Sequence, residues 1–394
     1  MIQQLRSLTA TFLVCAALAC GTPRSHKHHH QHASDLEGYH VSPPTAGYEP
    51  TANPLPGMPK VIDDEDIYAA GRPGELSPVV RSFPSLVYVP NTESNTVDVI
   101  DPRTFKVIEH FDVGRQPQHV TPAWDLRTLW VLNDKGDSLT RIDPATGKMK
   151  DTIAVQDPYN MYYTPDGRYA IVVAEQKRRL DFRDARTMQV VNSLNVHCKG
   201  VDHMDFSANG RFLIASCEFS GEMIKVDVAN QKLVGALKLG RRRAPQDVKL
   251  SPDGRIFYVA DMYAGGVHLI DAAKFKKIGF IPTGRGAHGL YTSRDSKYLY
   301  VSNRGEGSVS LLDFATKKVV TTWRFPGGGS PDMGGVSADG KVLWLSGRYD
   351  SEVYAIDTND GHLLARIPVG EGPHGLCVYP QPGRYSLGHT GILR

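Results

Sequence analysis

One aspartate recurs along this chain at nearly constant intervals. Asp101, Asp143, Asp184, Asp227, Asp271, Asp313 and Asp357 are separated by 42, 41, 43, 44, 42 and 44 residues. Each closes a version of one phrase, as in LVYVPNTESNTVDVID (86–101), LWVLNDKGDSLTRID (129–143), FYVADMYAGGVHLID (257–271) and LYVSNRGEGSVSLLD (299–313). Apolar and polar residues alternate with period two inside each phrase, and Gly, Asp and Asn punctuate it, so each unit is built of short strands and tight turns. Strand-only repeats of 40–45 residues predict an all-β fold, a β-propeller with one four-stranded antiparallel blade per repeat.

Each unit decodes in the same order. An innermost strand runs into a turn of the type TPDG (164–167), SANG (207–210), SPDG (251–254), SRDS (293–296) or SADG (337–340). A β-branched and aromatic second strand follows, then a polar loop, a third strand ending at the marker Asp, and an outer strand. The first unit lacks an innermost strand, whereas GPHGLCVYP (372–380) is an innermost strand with nothing after it. Seven blades result if that C-terminal strand completes the first blade, a latch that removes the open sheet edges. The tail 381–394 is expected to lie across the latch.

The remainder divides into two further parts, residues 1–19 and 20–80, ahead of a propeller at 81–394. The apolar run LTATFLVCAALA ends in Ala17-Leu18-Ala19 and reads as an export signal, too short for a permanent membrane anchor. Cys20 follows at once, and both a lipid-modified Cys20 and simple secretion fit the same cleavage point. Residues 20–80 read as a flexible tether with a short ordered part near Val61–Ala70. Its HKHHHQH tract (His26, His28, His29, His30, His32) suits loose metal binding or a hydrophilic spacer. A net charge of +3 gives no reason to expect nucleic acid. Of the cysteines, Cys198 and Cys217 lie in one repeat, where a disulfide is compatible with export but not fixed by spacing; Cys377 reads as a buried thiol.

Aligning the innermost strands on their turns gives two adjacent polar columns: Gln118-His119, Tyr159-Asn160, Asp202-His203, Gln246-Asp247, His288-Gly289, Asp332-Met333 and His374-Gly375. In a propeller these positions line the axial channel. Imidazole and carboxylate are the usual ligands of zinc, copper and iron, so His119, His203, His288 and His374 are candidate metal ligands, with Asp202, Asp247 and Asp332 beside them. A wet polar channel satisfied by water is the bland alternative. The loops after the second strands add Glu175, Glu218 and Asp261 in consecutive blades, then Arg304 and Arg348. That arrangement suits a dipolar or anionic small ligand, or else salt bridges between blades. Arg241-Arg242-Arg243 lies on a loop of the same face. No nucleophile elbow, zinc helix, haem-attachment motif or dinucleotide fingerprint occurs.

The phrases YVPNTESNTVDVID and YVSNRGEGSVSLLD resemble the YVTN-type propeller repeat over roughly residues 80–380. The resemblance implies the fold and leaves function open among envelope binding proteins, lactonase-like propellers and the haem propellers of nitrite reductases. The eight blades of the last group, against seven here, make haem a weaker expectation than a divalent transition metal. The expected function is an exported envelope protein binding a metal ion or small polar ligand at the channel mouth, with another envelope protein as a further partner. A metal- or haem-dependent oxidoreductase, a lactonase-like hydrolase and a protein-interaction scaffold are the alternatives.

Overall fold

The structure, a computed structural model, describes residues 41–394; residues 1–19 with the expected export signal, Cys20 and the His26–His32 tract lie outside the described residues. Seven four-stranded antiparallel sheets follow one another along the chain. Blade 1 is Leu86–Asn91, Thr96–Asp101 and Lys106–Asp112, closed by Cys377–Tyr379 as its innermost strand. Tyr379 pairs with Leu86, Val378 with Val87 and Cys377 with Tyr88, so the expected latch is formed. Blades 2 to 7 span 117–154, 160–195, 201–238, 245–282, 287–324 and 331–368. Among the described residues no helix is long and apolar enough to cross a membrane.

The residue pattern explains this layering. Second strands are buried along all or nearly all of their length, as in Leu86–Asn91 and Ile256–Asp261, because neighbouring blades cover both faces. Outer strands such as Lys106–Asp112 meet solvent and are mostly exposed. The marker aspartate has a local task. Its Oδ1 accepts the backbone N–H two or three residues on, from Arg103 at Asp101, Ala145 at Asp143, Lys274 at Asp271 and Thr316 at Asp313. The repeat is therefore a repeated side-chain-capped turn into the outer strand.

Two segments close the base of the ring, the face carrying the turns between innermost and second strands. Residues 41–80, expected as a loose tether, are laid along that face as a strap. Leu55 N–H bonds Asn209 O, Ile67 N–H bonds Pro252 O and the Tyr68 hydroxyl donates to Leu250 O. Leu55, Ile67 and Tyr68 are buried, which is why the segment is ordered well outside Val61–Ala70. The tail 381–394, expected across the latch, meets it through Leu393, which joins the buried cluster of Leu86, Cys377 and Tyr379. It turns into the channel, where Leu387, Ile392 and Tyr385 join the buried cluster of blades 3 and 4.

Candidate metal centre in the axial channel

The two polar columns sit at a bulge. On the innermost strand of blade 4, Val201 opposes Cys217 and Met204 opposes Ala215, so one extra residue is inserted at Asp202-His203. The same slip places Gln246-Asp247, His288-Gly289 and Asp332-Met333 in blades 5, 6 and 7, and occurs between Pro117 and His119 in blade 2. A bulge re-aims side chains and strands backbone groups. Second-strand serines satisfy the stranded groups: Ser216 Oγ accepts the His203 N–H at 3.0 Å, Ser302 the Gly289 N–H at 2.8 Å and Ser346 the Met333 N–H at 3.2 Å.

The bulges deliver His119 and His203 into the channel, and the tail adds His389, a residue that sequence reasoning missed. Ligand nitrogens of these three buried histidines lie within 4.8 Å of one another. Their surroundings are arranged in a specific way. Asp202 Oδ1 lies 2.6 Å from His203 Nδ1, off the hydrogen-bond axis, and the Asn160 amide lies 3.0 Å from His389 Nδ1. His203 Nε2, His389 Nε2 and both nitrogens of His119 are buried without hydrogen-bond partners, as are both oxygens of Asp202. Burial, then the charges of His374, His389 and His203, hold His119 well below the usual histidine range. Burial and then His203 do the same to His389. His203 is pulled down by burial, but Asp202, then Asp247 and Glu218, outweigh this and raise it.

The other two ring histidines turn elsewhere. His288 Nδ1 is 3.1 Å from Asp332 Oδ1, His374 Nδ1 is 2.9 Å from Oδ2, and Arg304 Nη1 is 3.1 Å from Oδ1. Asp332 thus gathers three partners, and burial holds His374 down at about 4. The expected set of four histidines therefore splits, with His119 and His203 on one centre and His288 and His374 on Asp332. Their rings still touch, with His119 and His374 centroids 4.9 Å apart.

The remaining candidates fall into two groups. Asp247 braces the ring, accepting the N–H groups of Val248 and Leu290, and its Oδ1 is 3.8 Å from His389 Nε2. Asp261 does not face the channel ligands. It is consumed by its own loop, accepting from Ala244, Tyr263 and Ala264 N–H and meeting His268 Nε2 at 2.9 Å. Glu175 and Glu218 stay together at the mouth: burial, then Asp202, pushes Glu175 up to about 8 and Glu218 up to about 7. On the opposite side Arg348 Nη1 is buried without a partner. Arg243 leans toward Asp261 at 3.9 Å, so that loop cation is partly neutralised. Cys198 and Cys217 form a disulfide, Cα atoms 5.9 Å apart, which fastens the loop before His203 to the strand behind it. Cys377 is a buried free thiol.

No column of the repeat contains His389. It stands in a Gly-flanked turn, Gly388-His389-Thr390-Gly391, and has φ 53°. The only trace in the sequence is a histidine among glycines in a tail following the last innermost strand.

Residues 74–383 match the family model described as YNCE-like beta-propeller. An uncharacterized protein YncE of Salmonella typhi is 23% identical over 274 residues, covering 63% of this chain and 73% of that protein. Among solved structures, Kuenenia stuttgartiensis hydrazine synthase superposes with a TM-score of 0.62 at 22% identity, covering 70% of this chain and 93% of that one. The dihydro-heme d1 dehydrogenase NirN gives 0.57 at 17% identity, covering 77% and 76%. At such identities these likenesses describe the fold.

Proposed function

The chain belongs to the YNCE-like β-propeller family, and from that premise we propose that it is an exported envelope protein that holds a divalent transition-metal ion inside its channel through His119, His203 and His389. The observation that carries this reading is the set of unpartnered nitrogens. Three buried imidazoles converge with Nε2 atoms that have no hydrogen-bond partner, and Asp202 stands at the other nitrogen of His203. Buried polar atoms are ordinarily paired, and orphans gathered at one point fit an ion. A carboxylate at Nδ1, as Asp202 stands at His203, is also the usual outer partner of a metal-bound histidine, fixing the tautomer that leaves Nε2 free.

Three imidazoles suit zinc, copper or iron and leave a coordination position for water or a ligand. The tail occupies the channel axis, which favours an ion over a macrocycle. Export and a lipid on Cys20 belong to the same proposal and rest on the leader sequence. The Cys198–Cys217 disulfide supports an oxidising compartment.

The test is elemental analysis of the full chain with the His26–His32 histidines replaced by serine. About one metal per chain, lost on His203→Ala or His389→Ala and kept on His288→Ala, is the expected result. A folded protein that takes up no zinc, copper or iron on incubation would sink the reading.

A further inference from the structure

Toward the base of the ring, between the innermost strands of blades 5 to 7 and the tail, lies a cavity of about 60 Å³. None of His119, His203 and His389 lines it, so it stands apart from the metal centre. Its walls carry two charged side chains, Lys249 and Arg294, and no carboxylate. Lys249 lies near the end of the innermost strand of blade 5, Pro245–Leu250. Period-two alternation points it away from the buried cluster that takes Val248 and Leu250. It is only 6% exposed, yet it makes no hydrogen bond or ion pair among the described residues. Asp247, whose charge interacts with it, spends its oxygens on the Val248 and Leu290 N–H groups. Arg294 follows the innermost strand of blade 6. Its Nε donates to Ser337 O at 3.1 Å, and its Nη2 to Val336 O at 2.6 Å and Gln381 Oε1 at 3.0 Å, leaving Nη1 uncommitted. Those acceptors are all neutral. Between the two cations Thr292 Oγ1 is buried without a partner, beside a Tyr68 hydroxyl already spent on Leu250 O.

A buried cation is ordinarily answered by an opposite charge. Here the walls supply two cations and nothing to neutralise them, which excludes a metal ion or an amine as occupant. A neutral ligand, or water alone, would solvate the cations without compensating either. Size narrows the choice further. A water needs roughly 10–15 Å³, so the cavity has room for about four to six, enough for a small polyatomic ion and too little for a nucleotide or sugar phosphate. We propose that this cavity binds a small inorganic oxyanion, planar like nitrate or tetrahedral like sulfate, with its oxygens on Lys249 Nζ, Arg294 Nη1 and the Thr292 hydroxyl. Thr390 and Gly391 also wall the cavity and follow His389 directly, so the anion would brace the turn that carries that imidazole. The site needs no metal to form.

The experiment is calorimetric titration of the metal-free full chain at constant ionic strength and about pH 8, where the tract histidines are neutral. The probes are sodium nitrate and sodium sulfate, with urea as a neutral molecule of similar size and methylammonium as a small cation. At least one of the two anions is expected to bind, at about one per chain, and neither urea nor methylammonium should. Lys249→Met keeps the apolar stem and should weaken anion binding about 10- to 100-fold, the range for a charged hydrogen bond. Lys297→Met removes an exposed lysine outside the cavity and should change nothing. Thr292→Val should weaken binding by about tenfold or less, as loss of a neutral donor does, and serves if Lys249→Met does not fold. Nitrate ahead of sulfate would mark a planar oxyanion and the reverse order a tetrahedral one, both as proposed. No binding of either anion to the unaltered chain would overturn the proposal and leave the cavity to water. Binding that survives Lys249→Met as fully as Lys297→Met would overturn it too, by placing the anion elsewhere.

Discussion

His203 has a carboxylate where the outer partner of a metal-bound imidazole stands: Asp202 Oδ1 is 2.6 Å from its Nδ1. Outer partners of this kind are worth about 10–100-fold in metal affinity. Asp202→Asn should therefore weaken zinc binding by about tenfold in a competition assay with a coloured chelator, and His389→Ala by considerably more. Glu175 offers a test by pH. Burial, then Asp202, raises its folded-state value to about 8 from 4.5, so folding favours the protonated form. A raised acid contributes stability below its unfolded value and loses it as pH climbs through the folded value. Thermal unfolding should show stability falling between about pH 4.5 and 8, and Glu175→Gln should flatten that slope by about 1–2 kcal/mol after allowing for partial exposure. Equal slopes in both proteins would remove Glu175 as their source. At this scale the sequence showed which residues reach the channel, because the columns follow from the repeat. It did not show their partners: whether His288 meets an ion or Asp332 depends on side-chain directions set by a bulge.

The repeating element is a strand with a fault in it. Two successive polar residues interrupt the alternation of the innermost strand, as Asp202-His203 does between Val201 and Met204, and the fault is where the channel chemistry sits. Ser216 makes this tolerable by accepting the His203 N–H and donating back to His203 O. Ser216→Ala should strand a buried N–H and cost about 1–3 kcal/mol in denaturant unfolding, with weaker metal binding as the His203 strand loses its brace. A cost near zero would mean the bulge is held by other contacts. Strands, turns and blade count were legible because hydrophobic alternation and Asp-Gly turns are local. The tail was not. Gly388 has φ +94°, and a Cβ there would lie 2.5 Å from Met161 O. The close approach of tail to channel wall is a tertiary fact with no periodic signal.

At the scale of the whole molecule the two ends of the described chain meet beneath the channel. The strap supplies Leu55 to the buried cluster that holds Tyr385, Leu387 and Ile392 of the tail, and Tyr68 lies 5.9 Å beneath the Arg394 guanidinium. Arg394 in turn bonds Asp205, three residues from Asp202 on the strand that carries His203, at 3.0 Å. Strap, tail and blade 4 are thus a connected support for His389. Stability and metal affinity should respond together when the strap is loosened far from the imidazoles. Leu55→Ala should destabilise the fold by about 2–5 kcal/mol. It should also speed hydrogen exchange at the Leu387 and His389 amides, which bond Ile392 O and Met161 O, and lower zinc affinity several-fold. A control in the outer strand of another blade, Val320→Ala at a half-exposed site, should leave the affinity unchanged. If Leu55→Ala lowered stability with zinc affinity and tail exchange untouched, the tail would be held by the channel wall alone. The strap would then stabilise the ring without supporting the centre.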